Sequence, residues 1–199
     1  MLVGLLSDAH GDVVSLQRAA AWLRSRVEAV VFAGDAFSDH CFSNDVVDIL
    51  RDVDATYVLG NHELALLGLG GARARGAEDV RPDLLEYVAS RPTSCRLDVG
   101  GVRVLVVHAS PWPPHDEYLV PGHRALRRTG ELDVDVLVLG HAHVPFATWV
   151  GSTLVVNPGS IGSPAADDGR WFAVLDTAGP AVVHHRLDRD GSISARVPP

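Results

Sequence analysis

The segment "LVGLLSDAHGDVVSLQRAAAWLRSR" (residues 2–26) begins as a strand and ends as a helix. Residues 2–6 form a short apolar run of the kind a buried strand needs. Over 12–26 the pattern changes: Asp12 is a good N-cap, and Leu16, Ala19, Ala20 and Leu23 fall on one helical stripe. Between the two elements stand Asp8 and His10, polar groups at a strand tip for which core packing has no use. Strand followed by helix is the unit of a helix-covered sheet, and the carboxyl ends of the strands in such sheets are where ligands bind.

The same alternation continues outward. Further β-type runs occur at 29–33, 55–59, 102–107, 135–139, 147–150, 153–156, 171–176 and 181–187. Helices are predicted near 44–52, from Pro82 through "DLLEYVASR", and over roughly 122–130. The first half alternates strand and helix, while the last third is strand-rich with turns such as "VGST" (150–153). This order predicts a layered α/β architecture, either with one mixed sheet or with two sheets packed together. The segment 68–82 is the one long flexible candidate, placed to act as a lid or rim.

Four more apolar runs end as the first does. "AGDAF" supplies Asp35, "LGNHE" supplies Asn61 and His62, "HASP" supplies His108, and "GHAH" supplies His141 and His143. Gly34, Gly60 and Gly140 precede three of these groups and would allow the sharp turns that aim the next side chain. One Asp after a strand is ordinarily a turn or cap residue, and one His an ordinary surface or core residue. Five such tips in one chain are not explained that way.

Asp8, His10, Asp35, Asn61, His108, His141 and His143 are too many ligands for one ion. Two ions about 3.5–4 Å apart, sharing a carboxylate and a hydroxide, would use them all. Mixed imidazole and oxygen donors suit Mn, Fe, Zn or Ni better than Mg or Ca. The charge of two divalent ions outweighs that of Asp8, Asp35 and a bridging hydroxide, which suits an anionic phosphoryl group.

These motifs resemble those of the calcineurin-like metallophosphoesterase superfamily. They stand as Asp8-x-His10, Gly34-Asp35, Gly60-Asn61-His62-Glu63, His108 and Gly140-His141-x-His143, in matching order and spacing, across residues 1–162. "HASP" (108–111) and "NPGS" (157–160) are similar to the small bacterial branch of diadenosine-tetraphosphatase and protein-phosphatase relatives. The resemblance implies a single metallophosphoesterase domain over 1–199, with central mixed sheets forming a β-sandwich flanked by helices.

It further implies two divalent ions, with Mn favoured for activity. Asp8, His10, Asp35 and His143 would hold one; Asp35, Asn61, His108 and His141 would hold the other. Asp35 would bridge. His62 would donate a hydrogen bond to the phosphate or act as general acid to the leaving oxygen. A metal-bridged hydroxide would attack phosphorus directly. Glu63 would orient a neighbour, Asn157 and Ser160 would brace the ligand loops, and His40 and His115 would rim the site with Trp112 and Tyr118. The interval 64–95 is shorter than the insertion many relatives carry there, so a more open site is expected.

The expected activity is phosphodiester hydrolysis, with phosphomonoester or phosphoprotein hydrolysis as the nearest alternative. A non-catalytic metal-binding scaffold is the alternative of another class. The formal net charge of −8 argues against a nucleic-acid or anionic-membrane partner. The expected substrate is a phosphate-ester small molecule or a phosphoprotein, with self-association left open. The N-terminus lacks the basic start and cleavage site of a signal peptide, and no apolar run approaches a membrane span, so a cytoplasmic location is expected. Cys41 and Cys95 read as free thiols. His184 and His185 alternate on a late strand and are expected at the surface, as is His123, and "ARVPP" (195–199) is expected to fray.

Overall fold

The computed structural model describes residues 1–38, 41–162 and 169–198. In chain order the elements are β1 (Leu2–Leu6), α1 (Val13–Arg24), β2 (Ala29–Phe32), α2 (Asn44–Asp52), β3 (Thr56–Tyr57), α3 (Asn61–Leu67), α4 (Ala72–Arg75) and α5 (Pro82–Ala89). Then come β4 (Ser94–Val99), β5 (Val102–Val107), β6 (Val136–Val138), β7 (Phe146–Val150), β8 (Thr153–Asn157), β9 (Arg170–Asp176), β10 (Ala181–Leu187) and β11 (Ile193–Arg196). Two 3-10 stretches, Leu69–Gly71 and Arg124–Glu131, complete the list.

The strands form two mixed sheets. One runs β11-β10-β9-β1-β2-β3, and the other β4-β5-β6-β8-β7. In the first, β1, β2 and β3 are parallel and β9 joins β1 antiparallel. In the second, β5, β6 and β8 are parallel, with β4 and β7 added antiparallel at the edges.

Alternation along the strands makes the layers. Val104, Val106, Val136 and Val138 point inward and meet Val3, Leu5 and Val31 of the other sheet. Leu105, Val107, Leu137 and Leu139 point outward and are covered by Trp112, Leu119 and Leu126. On the far side of the first sheet, Leu6, Phe32 and Phe172 are covered by Leu16 and Leu23 of α1 and Val46, Val47 and Leu50 of α2. Each fully buried leucine in these layers contributes about 1.5–3 kcal/mol of transfer free energy. Because β1, β2, β5 and β6 run parallel within their sheets, their carboxyl ends gather at one edge of the sandwich, and the polar tips gather with them.

Several expectations need correction. The segment 68–82 is partly helical, with Arg75 donating to the carbonyl of Leu66 in α3 and Arg81 bound to Asp48 of α2 at 2.7 Å. It is pinned to α2 and α3 instead of hanging free. The predicted strand at 55–59 shrinks to Thr56–Tyr57, and the helix near 122–130 is a 3-10 helix. Ala195 and Arg196 do not fray; they pair with His185 and His184 in β11. His184 is buried and donates from Nε2 to the carbonyl of Asn157 at 2.9 Å. His185 stacks on Phe172 at 5.2 Å and packs beside Trp22. Both late histidines therefore serve packing.

Candidate metal centre

Asp8 follows β1, Asp35 follows β2, Asn61 and His62 open α3, and His108 follows β5. His141 and His143 follow β6. Their ligand atoms form interlocking groups. Asp8, His10 and His143 make one, Asp35, His108 and His141 make another, and His10, Asp35 and His62 lie between. Within each group the donor atoms are all within 4.8 Å of one another.

The backbone records how this is achieved. Among the described residues, the non-glycine residues with positive φ are Asp8, His10, Asp35, Asp54, His115, His141 and His143, all between 47° and 66°. Five of these seven are candidate ligands. Left-handed backbone at non-glycine residues is costly, and it persists where the surroundings fix it, typically at functional sites.

Of the three glycines before the tips, only Gly34 has positive φ, at 92°. Gly60 and Gly140 are needed for room, not for turning. A Cβ on Gly60 would lie 2.1 Å from Asp35 Oδ1, and one on Gly140 would lie 1.9 Å from Ser7 Oγ.

The donor chemistry fits divalent cations. His108 Nδ1 faces the carbonyl of Ala33 at 2.7 Å; a carbonyl only accepts, so Nδ1 donates. That leaves Nε2 facing Asn61 Oδ1 at 3.0 Å and Asp35 Oδ2 at 3.1 Å. A lone-pair nitrogen held against two lone-pair oxygens needs a cation among them, either a proton or a metal ion. Burial opposes charge on His108, but the hydrogen bond and charge of Asp35 outweigh it and push its pKa up to about 9. In the other group, His10 Nε2 and His143 Nε2 face each other at 2.9 Å, and His143 lies 3.3 Å from Asp8 Oδ1.

The two histidines of "GHAH" behave oppositely. Burial lowers the pKa of His141, with the charge on His108 adding to it. Burial also works against charge on His143, but Asp8 overrides it and the pKa rises.

Around the ligands is a shell of hydrogen bonds. Glu63 is fully buried. Its carboxylate accepts from the backbone of Asp35 at 3.0 Å, Ala36 at 2.5 Å and Gly60 at 2.7 Å, and from the Tyr57 hydroxyl at 2.9 Å. It thus ties the tips of β2 and β3 together. Burial, with the charge of Asp35, raises its pKa. The backbone N–H of His62 donates to Asp35 Oδ1 at 3.0 Å, and the His62 ring nitrogen lies 3.6 Å from Asp35 Oδ2. The backbone N–H of His141 donates to Asp8 Oδ1 at 3.1 Å, which joins the two sheets at the site.

Asn157 donates from its amide to the carbonyl of Gly140 at 2.7 Å, and Ser160 donates to the carbonyl of Asp8 at 2.7 Å. Asp12 caps α1, accepting from the Ser15 N–H at 2.9 Å, and pairs with Arg170. His115 lies on the rim with left-handed backbone, its Nδ1 3.1 Å from the carbonyl of Ser110. His40 lies outside the described residues. Trp112 is buried under Arg128 and bonds Glu117, so it packs the loop. Tyr118 is 61% exposed and stacks on the His141 ring at 4.0 Å.

The sequence reading missed Ser7, whose hydroxyl bonds the carboxylate of Asp8. It also missed α3 as an element; the signal was the helical spacing of His62, Glu63 and Leu66 after Gly60.

Residues 1–179 match the family model of the calcineurin-like phosphoesterase superfamily domain. A probable metallophosphoesterase of Methanothermobacter thermautotrophicus is 30% identical over 171 residues, covering 84% of this chain and 81% of that protein. The crystal structure of a metallophosphoesterase from Sphaerobacter thermophilus superposes with a TM-score of 0.75 at 26% identity, covering 94% of this chain and 89% of that one. A structurally characterised archaeal phosphodiesterase shares the fold, with a TM-score of 0.64 at 19% identity over 94% of this chain and 100% of its own. The chain belongs to the calcineurin-like phosphoesterase superfamily and is a metal-dependent phosphoesterase. Among the described residues, no helix is long and apolar enough to cross a membrane.

Proposed function

We propose that the chain acts as one domain that hydrolyses small-molecule phosphodiesters with two divalent ions, Mn being the favoured metal. The observation that supports this reading best is the pair of ligand groups, Asp8/His10/His143 and Asp35/His108/His141, with Asp35 and His62 at their junction. In this assignment Asn61 completes the second group and Asp35 serves both sides. When bound, such ions polarise phosphoryl oxygens and lower the pKa of water.

The protein's own residues do the rest. Glu63 fixes Asp35 and the start of α3, so the ligands need little rearrangement before binding. His62 sits between the two groups on a helix start that Asp35 pins. From there it holds a proton for a phosphoryl or leaving oxygen. Asn157 and Ser160 keep the loops after β6 and β1 in place. A diester is favoured over a monoester because a cavity of about 470 Å³ opens beside Asn61 and His108, with room for a second ester substituent.

The test is metal analysis of the purified chain joined to turnover of bis(p-nitrophenyl) phosphate and p-nitrophenyl phosphate with Mn added. Two ions per chain and faster diester turnover are expected. Faster monoester turnover would replace the diester reading with the phosphatase one. No turnover by metal-loaded protein would make it a scaffold. His62→Ala should slow hydrolysis about 10²–10⁴-fold for a poor leaving group; full activity there would remove the proton role.

A further inference from the structure

The cavity beside Asn61 and His108 has a composition of its own. Leu59, Leu64, Leu105, Val107, Pro111 and Pro114 wall it. Its volume, about 470 Å³, is in the range of small-molecule sites. Leu64 is 50% exposed and stands one helical turn after Asn61, so both face the same side of α3. An exposed leucine alone means little; this one shares its cavity with two candidate ligands.

Among the described residues, Arg96 is the only arginine lining this space. On β4 it pairs with Leu105, while Ser94 pairs with Val107, the residue before His108. At about 3.3 Å per residue, this places Arg96 about 10 Å from His108 along the sheet. Its guanidinium is anchored by a hydrogen bond to the carbonyl of Asp133 at 3.4 Å.

We propose, resting on the diester reading, that this cavity receives one ester substituent of the substrate and that this substituent is an aromatic or heteroaromatic ring. Leucine, valine and proline walls bury a ring face at no polar cost. A glycerol-like substituent would find partners in Thr93 and Asp116 of the same lining but would leave the apolar walls unused. At the far end the Arg96 guanidinium can lie on a ring face or donate to a ring heteroatom.

The test separates the cavity from the reaction. Calorimetry on the Mn-loaded full chain compares phenylphosphonate with methylphosphonate, and the phenyl compound should bind about ten-fold more tightly. Leu64→Asp, at an exposed position, should bring the two within two-fold while methylphosphonate affinity stays unchanged. Thr93→Trp, at another exposed position lining the cavity, should do the same by filling it. Equal affinities in the unaltered chain, or a phenyl preference that survives both substitutions, would overturn the proposal. Turnover of p-nitrophenyl phenyl phosphate against methyl p-nitrophenyl phosphate is read separately. If neither diester turns over but the phenyl preference in binding persists and L64D abolishes it, the diester reading fails and the ring site stands.

Discussion

The two halves of the candidate centre are enclosed to different degrees. In the Asp35 half, the side chains of Asp35 and His108 are 2% and 6% exposed. His108 is locked by the Ala33 carbonyl, and Asp35 by Glu63 acting through three backbone N–H groups. In the Asp8 half only the carboxylate is so deeply held; His143 is 33% exposed. There the imidazoles are aimed chiefly by left-handed backbone at His10 and His143. Left-handed turns serve both halves, at Asp35 and His141 in one and at Asp8, His10 and His143 in the other, but only the Asp35 half adds the buried hydrogen-bond network around Glu63. The buried half should therefore be the better preorganised, and the open half the one through which substrate and solvent exchange.

That contrast can be broken most directly at the residue between the halves. Asp35→Ala should cost at least about 10³-fold in activity and reduce the bound metal below two ions per chain. Two ions retained in the variant would show that Asp35 does not bridge. Glu63→Ala comes next, because it removes the acceptor of four donors in the buried half. A loss of about 3 kcal/mol in denaturant unfolding is expected, with weaker metal binding. An unchanged midpoint would mean that the network adds little.

Acidity separates the halves further. The His108 pKa lies near 9 against an ordinary 6.5, raised by Asp35 over the opposing effect of burial. The metal-free fold therefore has this contribution in full below about pH 6.5 and loses it as pH rises through about 9. Metal affinity runs the opposite way, since proton and ion compete for the same nitrogen. Melting of metal-free protein and Mn titrations between pH 6 and 9 should show the two trends crossing; a flat metal affinity would contradict the tautomer assigned to His108. The smallest effect is expected at the rim. Tyr118→Ala removes a ring that only steadies His141, and about a two- to five-fold fall in metal affinity would reflect the usual worth of one aromatic stack.

Much of this was legible in the chain. The strand runs at 2–6, 102–107 and 181–187 match the observed strands residue for residue, and Asp12 caps the helix that its stripe predicted. Those features rest on local periodicity, which sequence displays directly. β4 and β11 were missed although β4 alternates polar and apolar residues, because both are short edge strands without a strongly apolar run, and pairing with β5 and β10 decides their conformation. His184 and His185 were misplaced for a related reason: whether a histidine on a strand is covered depends on its neighbours in space.

At the candidate centre the division is similar. Residue types and order alone determined which side chains could bind metal, because imidazole and carboxylate at successive strand tips have little other use. Only the tertiary structure decided how they group. The parallel strands of two different sheets had to bring Asp8 beside His143 and Asp35 beside His108, and the left-handed turns had to aim them. Nor could the sequence show that Gly60 and Gly140 are small because carboxylate and hydroxyl oxygens approach them, or that Leu64 and Arg96 line a cavity beside the ligands. Such facts are distances between residues remote in the chain, fixed by long-range packing and invisible to local patterns.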